Sequence, residues 1–561
     1  MPAKGSQQDF WVGYQQNDTY HLTKATLLTT TAHADFYLEE GLAASSDAVT
    51  QTAAEFERVV YPVDTAYFGA LDRPGLNGDS RVTVLVALLR RVDGYYSSFD
   101  QYPRTAYPYS NERHIIYLSS GAAAFGTPAF TALLAHEFQH LLHGLHKPAL
   151  DNWISEGSSE LAMKMVGAGM GGHEASFLAD PDVQLTAWAG VQSPAGPHYG
   201  AAYLFLRYFA DRFGQDALPA LAALPGRGSD LFDNYLGSIG ARRLRFDDIF
   251  LDWVVANYLN DPGLENGRYG YTNSTLRTHN VRALSVERPV QDSVSQFGAR
   301  YYSLPQVDEP LILDFAGAAT TRLLPTTARS GRYYWWGNRG DVVNSKLTVP
   351  VDLRGVGRAT LRFWTWYEIE RSFDYVYLVG SKDGGRSWLN LGGKFTSALN
   401  PTGNNLGQGW TGISGGGPEP IWVQEEVDLS PLSGQEVLLR FEYVTDDGYN
   451  GAGFALDDLQ VPEVGFLEDG EGEGVWGSEG FLRTDGVVLQ QYALRLVREG
   501  AEKSVVEVQV DENQHARLLI PAGRVEGERL TLVVAALAPL TTERAPMRIS
   551  LRVVSPAEPA S

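Results

Sequence analysis

The sequence predicts a multidomain protein, mixed α+β in its first half and all-β in its second. Three observations carry this. The chain has 561 residues, too many for one ordinary domain. Up to about residue 285, helix-period segments mix with short apolar runs. Beyond that point the pattern changes to alternating apolar residues and Gly-rich turns, the mark of sandwiches.

In order along the chain, D-F-W-V, H-L-T-K-A-T-L-L and H-A-D-F-Y-L between residues 9 and 45 read as strands by their partial alternation. Ala48 to Phe68 reads as a helix with Phe56, Val59 and Val60 on its apolar side. Arg81 to Leu89 is a continuous apolar run, hence a buried strand, and His114 to Leu118 is another. Between them D-G-Y-Y-S-S-F-D-Q-Y-P is rich in aromatics and hydroxyls; a sheet edge is expected near Gly94 to Phe99. Thr127 then Pro128 is a helix start, a hydroxyl cap followed by proline at the first helical position. Gly144, with Pro148 beyond it, is the expected stop.

That helix carries H-E-F-Q-H. His136 and His140 stand four residues apart and therefore share a face one turn apart. Phe130, Leu134, Phe138 and Leu141 lie on the far side. Two neutral imidazoles at this spacing can share a tetrahedral zinc ion, and Glu137 can serve as general base to a water. A catalytic zinc needs a third protein ligand. W-I-S-E-G-S-S-E follows, with Glu156 and Glu160 again on one helical face; Glu156 is the expected third ligand and Glu160 a partner for a ligand imidazole. One alternative stays open. His146 lies six residues after His140, the spacing of the third histidine in another zinc-peptidase pattern, although there the glycine would have to stand at position 143, where this chain has His143.

H-E-F-Q-H with W-I-S-E-G downstream resembles the gluzincin metallopeptidases, and within them bacterial secreted peptidases of the hyicolysin and immune inhibitor A kind. The resemblance implies a zincin-type catalytic domain, Zn2+ held by His136, His140 and Glu156, and Glu137 as base. Ser155 departs from the pattern, which usually has Asn there. A Tyr or His downstream of the ligand glutamate stabilises the oxyanion in such enzymes, so Tyr199 is the expected catalytic partner and His198 its reserve. The resemblance also implies protein or peptide substrates and an extracellular location. The polar start M-P-A-K-G-S-Q-Q-D is no signal peptide, so export requires that a signal has been removed.

Composition bounds the other readings. The chain is 44% hydrophobic and 20% charged, which supports ample core. A formal net charge of −22 disfavours nucleic acid and anionic membranes as partners and leaves carboxylates for structural Ca2+. There is no cysteine, hence no disulfide or thiolate chemistry, and no apolar run of membrane-spanning length. The rival from a different class is a non-enzymatic adhesin whose sandwiches bind glycan or protein.

The expected partition is a catalytic domain over 9–285 with a helical lower lobe, strands over 286–331, a sandwich over 332–462, an acidic Gly-rich linker over 463–474 and a small C-terminal sandwich over 475–561. Residues 332–462 resemble the MAM-like sandwich appended to immune inhibitor A-type peptidases. Within it S-K-D-G-G-R-S-W, Ser381 to Trp388, fits an Asp-box hairpin turn, and Asp341 of Arg339-Gly340-Asp341 reads as structural, a calcium ligand together with Asp457 or Asp458. D-D-G-Y-N-G-A-G at 446–453 is a second place for calcium. Five C-terminal strands are few for a sandwich, so residues 296–325 are expected to pair with 475–556, making the Trp-rich domain an insertion.

Overall fold

The computed structural model describes residues 3–14, 19–90, 92–168, 171–188, 194–286, 288–472, 476–522 and 527–554. It is a mixed α/β chain with many strands and a β-rich C-terminal region. Two compact units divide it, each built from two stretches of sequence: residues 1–170 with 327–485, and residues 171–326 with 486–561.

The first unit opens with β1 (Gln7–Tyr14), β2 (Thr19–Thr30) and β3 (Ala34–Glu39), an antiparallel series. β4 (Val82–Ala87) joins β3 in parallel, β5 is Gly94–Tyr96, and β6 (Ile115–Ser119) joins β4 in parallel. The order β1-β2-β3-β4-β6-β5 leaves β5 at the edge, antiparallel to β6. β4 and β6 are buried throughout, as their unbroken apolar runs require. Ser46–Glu55, a π-turn at Phe56–Val60 and Tyr61–Phe68 make the first helical stretch. Val84, Val86, Ile116 and Leu118 pack against Phe56, Phe130, Leu134 and Phe138 in one core.

Two helices complete this part: α1 (Pro128–His146) and α2 (Asn152–Met165). Thr127 caps α1 by accepting from the Phe130 N–H at 3.3 Å. The expected stop at Gly144 is corrected: α1 runs on to His146. Gly144 has no left-handed backbone; a Cβ there would collide with the Tyr96 ring of β5, so the glycine serves close approach of helix and edge strand.

The same unit contains the Trp-rich sandwich. One sheet runs Val423–Asp428, Thr360–Glu368, Gly453–Val461, Tyr334–Trp336, Leu482–Thr484, and the other Leu389–Leu391, Tyr375–Ser381, Glu436–Val444, Asn344–Asp352, Gly477–Glu479. Their alternating inner residues, including Phe363, Trp410, Phe441 and Phe454, form its core. Two sequence boundaries shift here. Phe466–Glu468, inside the expected linker, is a strand paired with Gly453–Val461. Strands at 477–479 and 482–484 belong to this sandwich rather than to a C-terminal one, because Phe481 between them is buried in its core. The Asp383 carboxylate accepts from the Arg386 and Ser387 N–H groups in the hairpin turn before Leu389.

The second unit holds the helices His173–Ala179, Gly196–Phe213, Ala217–Ala223, Gly228–Ser238 and Phe246–Leu259, so the stretch 9–285 is divided between the units near residue 170. It also holds a sandwich. Leu311–Gly317 pairs on one side with His515–Ile520 and on the other with Ala545–Val553; Leu313 opposes both Leu518 and Leu551. Ala299–Ser303 pairs with Arg529–Ala536 in the facing sheet. Leu313, Phe315, Leu494, Leu532 and Ile549 share the core.

Candidate metal centre

Helical spacing alone sets two imidazoles side by side. His136 and His140 Nε2 lie 3.2 Å apart on α1. α2 packs on α1 and brings Glu156 to them: its Oε2 is 3.3 Å from His136 Nε2 and 3.4 Å from His140 Nε2. Four-coordinate zinc with bonds of about 2.0–2.1 Å has ligand-to-ligand edges of about 3.3–3.4 Å, so the triangle fits one face of such a tetrahedron. The donor set, two nitrogens and one carboxylate oxygen, is also right for zinc. Glu156 Oε2 has no hydrogen-bond partner, which leaves it free for an ion.

The surroundings fix the imidazoles. The Ser155 hydroxyl is 3.1 Å from His140 Nδ1 and the Ser159 hydroxyl 3.2 Å from His140 Nε2. Ser159 also donates to Gln139, whose amide hydrogen-bonds His143 Nδ1 at 2.5 Å. Glu160 is buried, and its charge acts on His136, where burial works the other way.

Glu137 is buried beside the triangle, and its Oε2 has no partner. Burial pushes its carboxyl above the ordinary carboxylate value, against the pull of His136 and His140. It lies directly on the edge strand: a Cβ on Gly94 would stand 2.6 Å from Glu137 Oε1. α1 and β5 therefore meet at two glycines, Gly94 and Gly144.

The decoy is resolved by direction. His146 Nε2 bonds the Ala70 carbonyl at 2.6 Å, and His143 is buried edge-on to Phe68, with burial pushing its imidazole down to about 3. Neither joins the triangle among the described residues. Tyr199 and His198 lie in the other compact unit; Tyr199 stacks on His173 at 4.9 Å, and the His198 Nδ1 bonds the Ala187 carbonyl at 2.9 Å. Sequence reading passed over Ser155 and Ser159 as a pair, although their four-residue spacing puts them on one helical face, as it does Glu156 and Glu160.

A second group of ligand-type atoms within 4.8 Å of one another consists of Glu370, Asp374 and Asp446. Asp446 lies in the stretch 446–453 expected as a second place for calcium, whereas the expected grouping of Asp341 with Asp457 or Asp458 is corrected. Asp341 is buried and accepts from Asn450 and from the Asn152 N–H, while Asp457 and Asp458 bond Arg329 and Ser330 elsewhere. Asp374 is fully buried, and burial together with the Asp446 charge raises its carboxyl well above the ordinary value.

Comparison with known proteins agrees with part of this reading. Residues 318–486 match the family "Immune inhibitor A-like, MAM domain". The chain is 31% identical over 160 residues to pre-pro-metalloprotease PrtV of Vibrio cholerae, 28% of this chain and 16% of that protein. It is 28% identical over 168 residues to immune inhibitor A of Bacillus thuringiensis, 29% of this chain and 22% of the relative, and 27% identical over 147 residues to bacillopeptidase F of Bacillus subtilis, 25% of this chain and 9% of the relative. The chain thus spans less than a quarter of the length of each of these relatives. The matches show an immune inhibitor A-like MAM domain in this chain and a likeness, over part of its length, to proteins named as metalloprotease PrtV and immune inhibitor A.

Proposed function

We propose that this protein is a secreted zinc-dependent endopeptidase with a zincin-type catalytic domain. The observation that carries the reading is the triangle of His136, His140 and Glu156, of tetrahedral edge length, with an unpartnered buried carboxylate at Glu137 beside it. Zinc held there would polarise a peptide carbonyl and lower the pKa of a water. The rest is work for the chain's own groups. Glu137 takes a proton from the attacking water and delivers it to the leaving amine nitrogen, its raised basicity suiting both halves of the task. Ser155 orients His140. β5, an edge strand lying against Glu137, offers backbone groups on which an extended peptide can add as a further strand, placing its scissile bond at the base.

An extracellular location belongs to the same proposal, supported by kinship with a protein named a pre-pro-metalloprotease. Among the described residues no helix is long and apolar enough to cross a membrane. Glu370, Asp374 and Asp446 are the place for a structural Ca2+: an all-oxygen set with a fully buried carboxylate suits a hard cation. The test is hydrolysis of casein. The proposal expects cleavage that a chelator abolishes and added zinc restores; absence of cleavage by zinc-loaded protein would favour the adhesin reading.

A further inference from the structure

The sheet β1–β6 has two faces, and the candidate metal centre uses one of them. Phe36 and Leu38 of β3 and Val84 of β4 pack in the core with α1. Strand alternation therefore turns Asp35, Tyr37 and Thr83 to the opposite face. There a cavity of about 240 Å³ opens between β1, β3, β4 and the chain just before β6.

The polar groups of this cavity are unequally served. Arg81 is held by Asp79, which accepts from its Nε at 3.1 Å and its Nη2 at 2.5 Å. Asp35 Oδ1 stands 3.1 Å from Arg81 Nη1 but accepts no hydrogen bond, although the side chain is only 8% exposed. Arg113 donates from Nε to the Asn111 carbonyl at 3.2 Å and from Nη1 to Gln8 Oε1 at 3.3 Å, and it lies over the Phe10 ring at 5.2 Å. Among the described residues no carboxylate pairs with Arg113, and its Nη2 makes no bond. Burial lowers its guanidinium from the ordinary value, as it does for a cation without a compensating anion. Tyr37, 2% exposed, lines the cavity, and its hydroxyl has no hydrogen bond among the described residues. Buried polar groups are costly to leave unpaired, so three at one cavity mark the place of a ligand.

The open groups ask for two kinds of partner. Arg113 and Tyr37 donate, which suits an anion; the Asp35 carboxylate accepts, which suits a cation. A bare anion would meet the repulsion of Asp35 and Asp79, and a bare cation that of Arg81 and Arg113. Two guanidiniums and two carboxylates cancel, so a molecule that carries both signs and no net charge is the complement. The volume, that of about eight waters at about 30 Å³ each, admits a molecule of amino-acid size. Asn77 and Thr83 keep the rest of the wall polar.

We propose that this cavity binds a free α-amino acid with a small polar side chain. Its carboxylate lies on Arg113 and the Tyr37 hydroxyl, and its ammonium on Asp35. The site is separate from the metal centre and stands whether or not the peptidase reading holds.

The experiment titrates L-serine into the full chain by calorimetry, beside three control probes. L-Lactate keeps the carboxylate without the ammonium, ethanolamine keeps the ammonium without the carboxylate, and inorganic phosphate is a bare anion. Serine should bind at one site per chain and each control at least about tenfold more weakly, because each loses a charge-assisted pairing. Arg113→Gln should weaken serine binding by about tenfold or more, and Tyr37→Phe, which keeps the ring against Phe10, by about threefold. If Arg113→Gln does not fold, Tyr37→Phe decides alone. No saturable binding of serine at roughly 10 mM overturns the inference and leaves a pocket of water. Lactate or phosphate binding as tightly as serine overturns it too, since that marks a bare anion site. So does a serine affinity that either folded variant leaves unchanged.

Discussion

The first compact unit carries two candidate cation sites, and they are built on opposite plans. The triangle of His136, His140 and Glu156 uses two imidazoles and one carboxylate from two adjacent helices, with edges of 3.2–3.4 Å. The group of Glu370, Asp374 and Asp446 uses oxygen alone, drawn from two loops of a sandwich more than seventy residues apart, with its atoms spread within 4.8 Å. Nitrogen-rich and tight suits a small borderline ion that must leave a position for water; oxygen-only and wider suits a larger ion that holds loops in place. The first plan is local and can be written in a five-residue motif. The second exists only after strands have paired.

The largest expected effect breaks the first site. Glu156→Ala removes one corner of the triangle, so metal analysis should find the protein depleted of zinc and casein hydrolysis lowered by roughly a thousandfold or more. His146→Ala, which loses only a bond to the Ala70 carbonyl, should keep both metal and activity. The reverse pattern would remove the distinction between ligand and decoy.

A smaller effect separates the second site from the first. Calcium at about 100 times its dissociation constant should stabilise the protein by about 2.7 kcal/mol, seen as a rise in melting temperature. Asp374→Asn should cancel that rise while leaving zinc content intact. If calcium stabilises the variant as much as the native chain, Asp374 is not a ligand.

The smallest effect sharpens what holds the triangle. Ser155→Ala removes the 3.1 Å contact to His140 Nδ1, and zinc affinity measured by competition with a chelator should fall by about tenfold. An unchanged affinity would mean that Ser159 alone orients the ring.

Local features of this molecule were readable in sequence. Thr127 and Pro128 start α1 where a cap and a first-turn proline should, and four-residue spacing alone puts His136 with His140. Long-range features were not. Gly144 looks like a stop because glycine usually ends helices, yet here it makes room for Tyr96, a neighbour only in space. Residues 477–484 read as the start of a new domain because they follow an acidic Gly-rich stretch; their allegiance is decided by Phe481 entering a core assembled from strands spread over residues 335–461. The pairing of Leu313 with Leu518 and Leu551 likewise rests on hydrogen bonds that no local pattern contains; only the shortage of C-terminal strands hints at it. The acidic residues around 446 stand out in sequence as a place for calcium, but Glu370 and Asp374, which complete the group, have no spacing relation to them.

The central claim is that the triangle holds a catalytic zinc served by Glu137. The most direct test is one preparation of Glu137→Gln analysed for both metal and turnover. The account predicts about one zinc per chain, as in the native protein, and peptide hydrolysis reduced by about 10^2- to 10^4-fold, because a base is lost and no ligand is. A metal-free variant, or one with native activity, would contradict it.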